Sequence, residues 1–294
     1  MKSMNAPARA RLSLLTAMII WGSIGLFRRF IPLPSGVIAE FRAVGGAAFL
    51  LLLMVFRKDR PDLSAVRKNL LPLILSGTFI GFNWILLFEA YRYTSVAVAT
   101  LCYYMAPMIV ILVSPLLLHE RLTGRKLICL LITLAGMALV SGVFDPSSGK
   151  TGAKGVLLGL AAAVLYAGVM LTNKRISGVP AMDKTISQLS VAAVVLLPYV
   201  LLTESAPLAA YTPLCIAMLA VVAVVHTGLS YALYFGSMKD LPAQTVALMS
   251  YIDPVVAVLL SALVLKEPMS LPGALGAALI LGAVIACELP EKQK

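Results

Sequence analysis

Acidic side chains are scarce in this chain, with 13 Asp and Glu among 294 residues against 24 Lys and Arg. Charged residues of both signs make up 13% of positions, where a soluble domain carries about 25%. A water-soluble fold of this composition lacks the polar surface to cover its core. Histidine occurs only twice. The four cysteines, Cys102, Cys129, Cys215 and Cys287, all fall in apolar stretches and form no CxxC pair. They read as small buried hydrophobes, so neither a metal site nor a disulfide is expected. The sequence has no HExxH, no G-x-S-x-G and no nucleotide-binding loop. Their absence argues against an intramembrane hydrolase and against a machine driven by ATP, and no cofactor is implied. The net charge of +11 is spread over short loops rather than gathered into a patch, so a nucleic-acid partner is not expected either.

Long apolar runs are what the chain does have. Hydrophobic residues fill 60% of positions and the mean hydropathy is +0.95. Windows of about twenty residues, enough to cross a ~30 Å hydrocarbon layer, fall at 12–31, 36–56, 70–90, 95–117, 124–143, 154–173, 186–203, 213–236, 243–265 and 271–288. The expected fold is an all-α integral membrane protein of ten transmembrane helices. The first run follows a basic start, as in a signal peptide, but no small-residue cleavage site follows it, so an uncleaved first helix is expected. If the N-terminus is cytoplasmic, seventeen of the 24 Lys and Arg lie in cytoplasmic segments, six lie outside and Arg42 is within a span. The positive-inside rule then puts both termini in the cytoplasm of a cell (inner or plasma) membrane protein.

The sequence also repeats itself. A shift of 147 residues pairs Gly81 with Gly228, Asn83 with Ser230, Trp84 with Tyr231, Tyr104 with Tyr251, Pro107 with Pro254 and Glu120 with Glu267. A looser match sets Trp21 onward beside Tyr166 onward. The chain therefore divides into five-helix halves, 1–146 and 147–294. Five is odd, so the second half enters the membrane from the opposite face. Inverted repeats of this kind characterise carriers that work by alternating access. Trp21-Gly22, and a mid-helix proline followed thirteen residues on by glutamate in "PMIVILVSPLLLHERLTG" and "PVVAVLLSALVLKEPMSL", make the chain resemble the drug/metabolite transporter superfamily in its ten-helix EamA-like branch. The resemblance implies a secondary transporter, usually an exporter of small metabolites, amino acids or drugs.

Polar residues inside apolar spans mark candidate sites. Asp253 is the deepest acid, about 15 Å into the ninth helix at ~1.5 Å per residue, and is a candidate proton-coupling residue. Its alternative is a structural carboxylate bonded to a neighbouring helix. Pro254 and its twin Pro107 are candidate hinges, because proline removes a helical hydrogen bond. The residue paired with Asp253 is Ala106, so the acid breaks the repeat. His226 is either a second proton relay or packing glue. Thr100, Tyr103, Tyr104 and Pro107 share one helical face, extended by Ser114, and Ser250, Tyr251, Pro254 and Ser261 repeat it. With Trp21, Asn83, Trp84, Tyr166 and Ser230 these polar and aromatic residues are candidate substrate-binding cavity walls, core packing being the alternative. Glu40 and Arg42 either face the cavity or snorkel to the interface. The resemblance favours a functional Arg42, since members of that family often carry an arginine in this helix, and in an amino-acid exporter it would attract a carboxylate. Glu120 and Glu267 read as caps or gate partners. The leading expectation is an exporter of small amphipathic metabolites such as amino acids or their derivatives, the alternative a multidrug or organic-cation exporter. The expected partners are the small-molecule substrate and the lipid bilayer, with the chain a monomer or homodimer. Small residues in the fifth and tenth helices permit close packing within or between subunits.

Overall fold

The computed structural model describes residues 5–94, 96–140, 152–266 and 270–288. It is all-helical over these residues, with a helix on each expected run. We label them α1 (Ala6–Arg28), α2 (Ser35–Arg57), α3 (Leu70–Tyr93), α4 (Val98–Leu117), α5 (Gly124–Val140), α6 (Ala153–Arg175), α7 (Ala181–Thr203), α8 (Pro213–Ser237), α9 (Ala243–Val264) and α10 (Leu271–Glu288). A short helix, Leu63–Lys68, joins α2 to α3. Among the described residues eight helices are long and apolar enough to cross a membrane, and α10 contributes a shorter apolar one.

Local chemistry moves two boundaries from their expected places. The first helix begins at Ala6, not at residue 12, because the Asn5 side chain accepts from the Ala8 backbone N–H at 3.0 Å and proline occupies the first turn. The seventh begins at Ala181, not 186, and so takes Asp183 and Lys184 into its first turn. Asp183 is tolerated there because its Oδ2 accepts from the Asp62 backbone N–H at 2.8 Å.

Three helices are interrupted. The first bends at Ser23. The fourth breaks at Tyr104, between Val96–Tyr103 and Met105–Leu117, and the ninth breaks across Ser250 and Tyr251, between Ala243–Met249 and Ile252–Val264. Each of the latter breaks lies just ahead of its proline, Pro107 or Pro254, whose ring displaces the carbonyl four residues back. The eighth widens into a π-helical turn over Val224–Leu229.

Helix α3 packs on α6 and α7, α1 on α8 and α9, α2 on α7 and α8, and α4 on α6 and α9. Helices α5 and α10 pair with one another. A Cβ on Gly136 would sit 2.8 Å from the Gly276 carbonyl oxygen and one on Gly276 2.5 Å from that of Gly136. Their small-residue faces are thus used within one chain. Such packing is needed where lipid supplies no hydrophobic drive between helices.

Candidate functional site

The broken helices α4 and α9 meet α1, α2, α3 and α6 around a cavity of about 580 Å³. Of the residues singled out in the sequence, Trp21, Arg42, Trp84, Thr100, Tyr103, Tyr104, Tyr166 and Asp253 line it, as does Ser250. Arg28, Ile31 and Ser35 line it too, so it extends toward the end of the molecule where α1 turns into α2.

The Tyr104 hydroxyl donates to Asp253 Oδ2 at 2.9 Å. The Tyr251 hydroxyl donates to the Tyr104 carbonyl at 2.8 Å. That carbonyl lies at the break in α4, so the ninth helix satisfies a backbone group there. Helix α1 approaches closely because residue 22 is glycine. A Cβ there would stand 2.6 Å from the Asp253 carbonyl oxygen and 2.6 Å from Val256 Cβ. The Trp-Gly pair thus has two jobs: Trp21 faces the cavity and Gly22 brings that wall against the acid-bearing helix.

Arg42 points inward. Its Nε donates to Thr227 Oγ1 at 3.0 Å, and its guanidinium lies 4.7 Å from the Trp84 ring centroid. Interfacial snorkelling is therefore not its arrangement in this structure. The π-helical turn explains the partner, since it sets Thr227 where Arg42 reaches it, and such turns accompany functional sites. Glu40, two residues earlier, is not on the cavity wall, and its Oε2 is buried without a hydrogen-bond partner among the described residues. Tyr103 and Tyr166 stack with ring planes 10° apart and centroids 5.3 Å apart. Trp21 packs against Tyr231 and Tyr234 at 4.9 Å each. An acid and a guanidinium thus share one aromatic-walled chamber.

Three expected wall residues, Asn83, Ser230 and Tyr251, sit behind the wall instead, as does His226, expected as a proton relay or packing glue. Asn83 is buried and donates to the Ala162 carbonyl at 2.6 Å, which ties α3 to α6. Ser230 is buried beside the Thr227 carbonyl. Tyr251 is spent on the Tyr104 carbonyl and buried. His226 is buried, its Nε2 3.0 Å from Ser23 Oγ, while its carbonyl accepts from Trp21 Nε1 at 2.9 Å. Asn83 was expected from its pairing with Ser230 across the repeat, whereas Tyr251, Ser230 and His226 were expected on a face read at ideal helical periodicity. The breaks and the π turn rotate that face, and adjacent backbone groups claim the polar atoms. Sequence reasoning in turn missed Tyr91 on the wall and Thr227 beneath Arg42. Only the π turn identifies Thr227, and no sequence pattern announces it.

At the end of the molecule opposite the α1–α2 turn, a polar seal ties the α4–α5 connection to the start of α9. Glu120, expected as a cap or gate partner, accepts from the backbone N–H of Ala243 at 2.6 Å and Gln244 at 3.1 Å, capping α9 rather than its own helix. Ser114 also lies in this seal rather than on the cavity wall: its Oγ accepts from Gln244 Nε2 at 2.7 Å. Lys126 Nζ donates to Gln244 Oε1 at 2.5 Å. Glu267, the twin of Glu120, lies outside the described residues, as does the Ser261 side chain.

The model of the EamA-like transporter family matches residues 9–142 and again 153–287. The uncharacterized transporter YxxF of Bacillus subtilis is 27% identical over 259 residues, covering 88% of this chain and 82% of that protein. The uncharacterized inner membrane transporter YicL of Salmonella typhimurium is 24% identical over 303 residues, covering 99% of each. Protein PecM of Dickeya dadantii is 27% identical over 274 residues, covering 92% and 89%. A solved crystal structure superposes with a TM-score of 0.83 over 95% of this chain and 97% of its own, at 22% identity.

Proposed function

The chain belongs to the EamA-like transporter family, and from that premise we propose a secondary exporter of small zwitterionic or amphipathic metabolites, amino acids or their derivatives, driven by protons. The observation that carries the reading is the cavity in which Asp253 and Arg42 both line the wall. A carboxylate there receives an amine or a proton, the guanidinium receives a carboxylate by charge-assisted hydrogen bonds, and Trp21, Trp84 and the tyrosines hold an apolar body. A purely cationic drug fits less well, because Arg42 repels it.

The transport cycle rests on two inverted five-helix halves, 1–146 and 147–294, that rock about this site. Two findings support that division. The family model matches each half separately. The packing also keeps its pattern when the first five helices are exchanged with the last five: α3 on α6 answers α8 on α1, and α4 on α6 answers α9 on α1. With both termini in the cytoplasm, the cavity opens to the outside and the Glu120 seal closes the cytoplasmic end. Asp253 alternates between proton and amine, and His226 backs the bend in α1.

A thermal-shift panel on the purified protein tests the substrate class. Amino acids should raise the unfolding midpoint more than the matching amines or carboxylic acids alone. Stabilisation by hydrophobic cations instead, undiminished by Arg42→Gln, would move the assignment to the multidrug alternative.

A further inference from the structure

A second cavity, of about 810 Å³, lies at the other end of the molecule, among the start of α1, the end of α6, the start of α7 and the end of α8. Four cations line it, Arg9, Lys174, Lys184 and Lys239, with Asp240 as the one lining acid. Two of the cations differ sharply in how they are held. Lys174 Nζ donates to the Met238 carbonyl at 2.8 Å and the Leu241 carbonyl at 2.6 Å, so it closes the α8–α9 turn. Lys184 is only 4% exposed, yet its ammonium has no hydrogen bond or ion pair among the described residues. The side chain is thus largely packed and still lines the cavity.

A largely buried lysine whose ammonium has no protein partner is costly, and a chain retains one where a ligand completes it. The helix that carries Lys184 adds to the demand. The N-cap of α7 is Pro180, which gives no side-chain cap, so first-turn backbone N–H groups and the positive end of the helix dipole face the same region. Helix N-termini with converging cations take oxyanions. Basic clefts between membrane helices at headgroup depth do the same for phospholipids.

We propose that this cavity is a phosphate-binding site, separate from the transport cavity, which takes a phosphate monoester or diester with Lys184 as its central ligand and Arg9 and Lys239 at its rim. The same chemistry is offered by an anionic phospholipid headgroup and by a free phosphate ester, and two arms of one experiment separate them. In the first, the purified full-length protein in detergent is titrated with inorganic phosphate, against chloride at matched ionic strength, while the unfolding midpoint is followed. In the second, the protein in nanodiscs of phosphatidylcholine, with or without phosphatidylglycerol, is ejected into a mass spectrometer and the retained lipid is counted. A rise in midpoint with phosphate assigns a free ester, and selective retention of phosphatidylglycerol assigns a lipid. The site is supported if Lys184→Met raises the half-saturating phosphate concentration by about tenfold, the scale of one charge-assisted hydrogen bond, or abolishes the selective retention of phosphatidylglycerol. Lys184→Arg should keep the response. Asp253→Asn should also keep it, which separates this inference from the transport reading. If phosphate acts no better than chloride and phosphatidylglycerol is not retained, the proposal is overturned. It is equally overturned if the wild-type response survives in Lys184→Met.

Discussion

Helices α4 and α9 are twins that differ at one decisive position. Both break just ahead of a proline, at Tyr104 and at Ser250–Tyr251, and Tyr104 and Tyr251 are themselves paired by the shift of 147 residues. Their tyrosines nevertheless do different work. Tyr251 donates to a backbone carbonyl at the break in α4, while Tyr104 donates to the Asp253 carboxylate. The residue that answers Asp253 in the first half is Ala106, which is fully buried. On the proposed reading, the shared parts make the hinge and the unshared acid makes the site. A repeat supplies symmetric motion, and breaking it once gives the moving parts something to bind.

Removing the asymmetry should have the largest effect. Asp253→Asn should cut gradient-driven substrate flux by about tenfold to a hundredfold, the range of coupling free energies of ~1–3 kcal/mol, while the purified protein keeps its fold by circular dichroism. Proteoliposome uptake measures it. Removing what the twins share should give matched, smaller losses. Pro107→Ala and Pro254→Ala each restore a helical hydrogen bond, so each should raise thermal stability and slow transport. An effect confined to one proline would break the comparison.

The tyrosines should then separate. Tyr104→Phe removes a bond to a charged group, worth about 1.5–3 kcal/mol, and should weaken substrate or proton binding roughly tenfold. Tyr251→Phe leaves a carbonyl unpaired at about 1–3 kcal/mol, and should lower the unfolding midpoint while sparing substrate affinity. The smallest effect belongs to the seal. Glu120→Gln exchanges a charged helix cap for a neutral one at about 0.3–1 kcal/mol, and should raise labelling of a cysteine placed at Gln244 without changing the midpoint appreciably.

Much of this arrangement was legible in the residues. Apolar runs located the helices, since a bilayer leaves the backbone no alternative partner. A fixed shift found the twin prolines, and Asp253 stood out because charge is rare inside the spans. Trp21, Arg42, Trp84, Tyr103, Tyr104 and Tyr166, singled out as polar or aromatic residues in apolar spans, line the cavity. Helical periodicity failed where the helices themselves are irregular. Tyr251, Ser230 and His226 sit beside a break or within or beside the π turn, and there a face read at ideal spacing points elsewhere. Asn83 lies off the wall for another reason: its amide donates to a neighbouring backbone carbonyl. The Asn5 cap and the Pro180 start were readable from turn chemistry, whereas Thr227 as the partner of Arg42 was not.

On the proposed mechanism Asp253 carries the coupling and the prolines carry only the motion. Proton movement into proteoliposomes, followed with a trapped pH dye while a stabilising amino acid is added to wild type, Pro254→Ala and Asp253→Asn, tests it most directly. Substrate-dependent proton flux is expected in wild type, slower flux at the same proton-to-substrate ratio in Pro254→Ala, and none in Asp253→Asn. Undiminished proton flux in Asp253→Asn would contradict it.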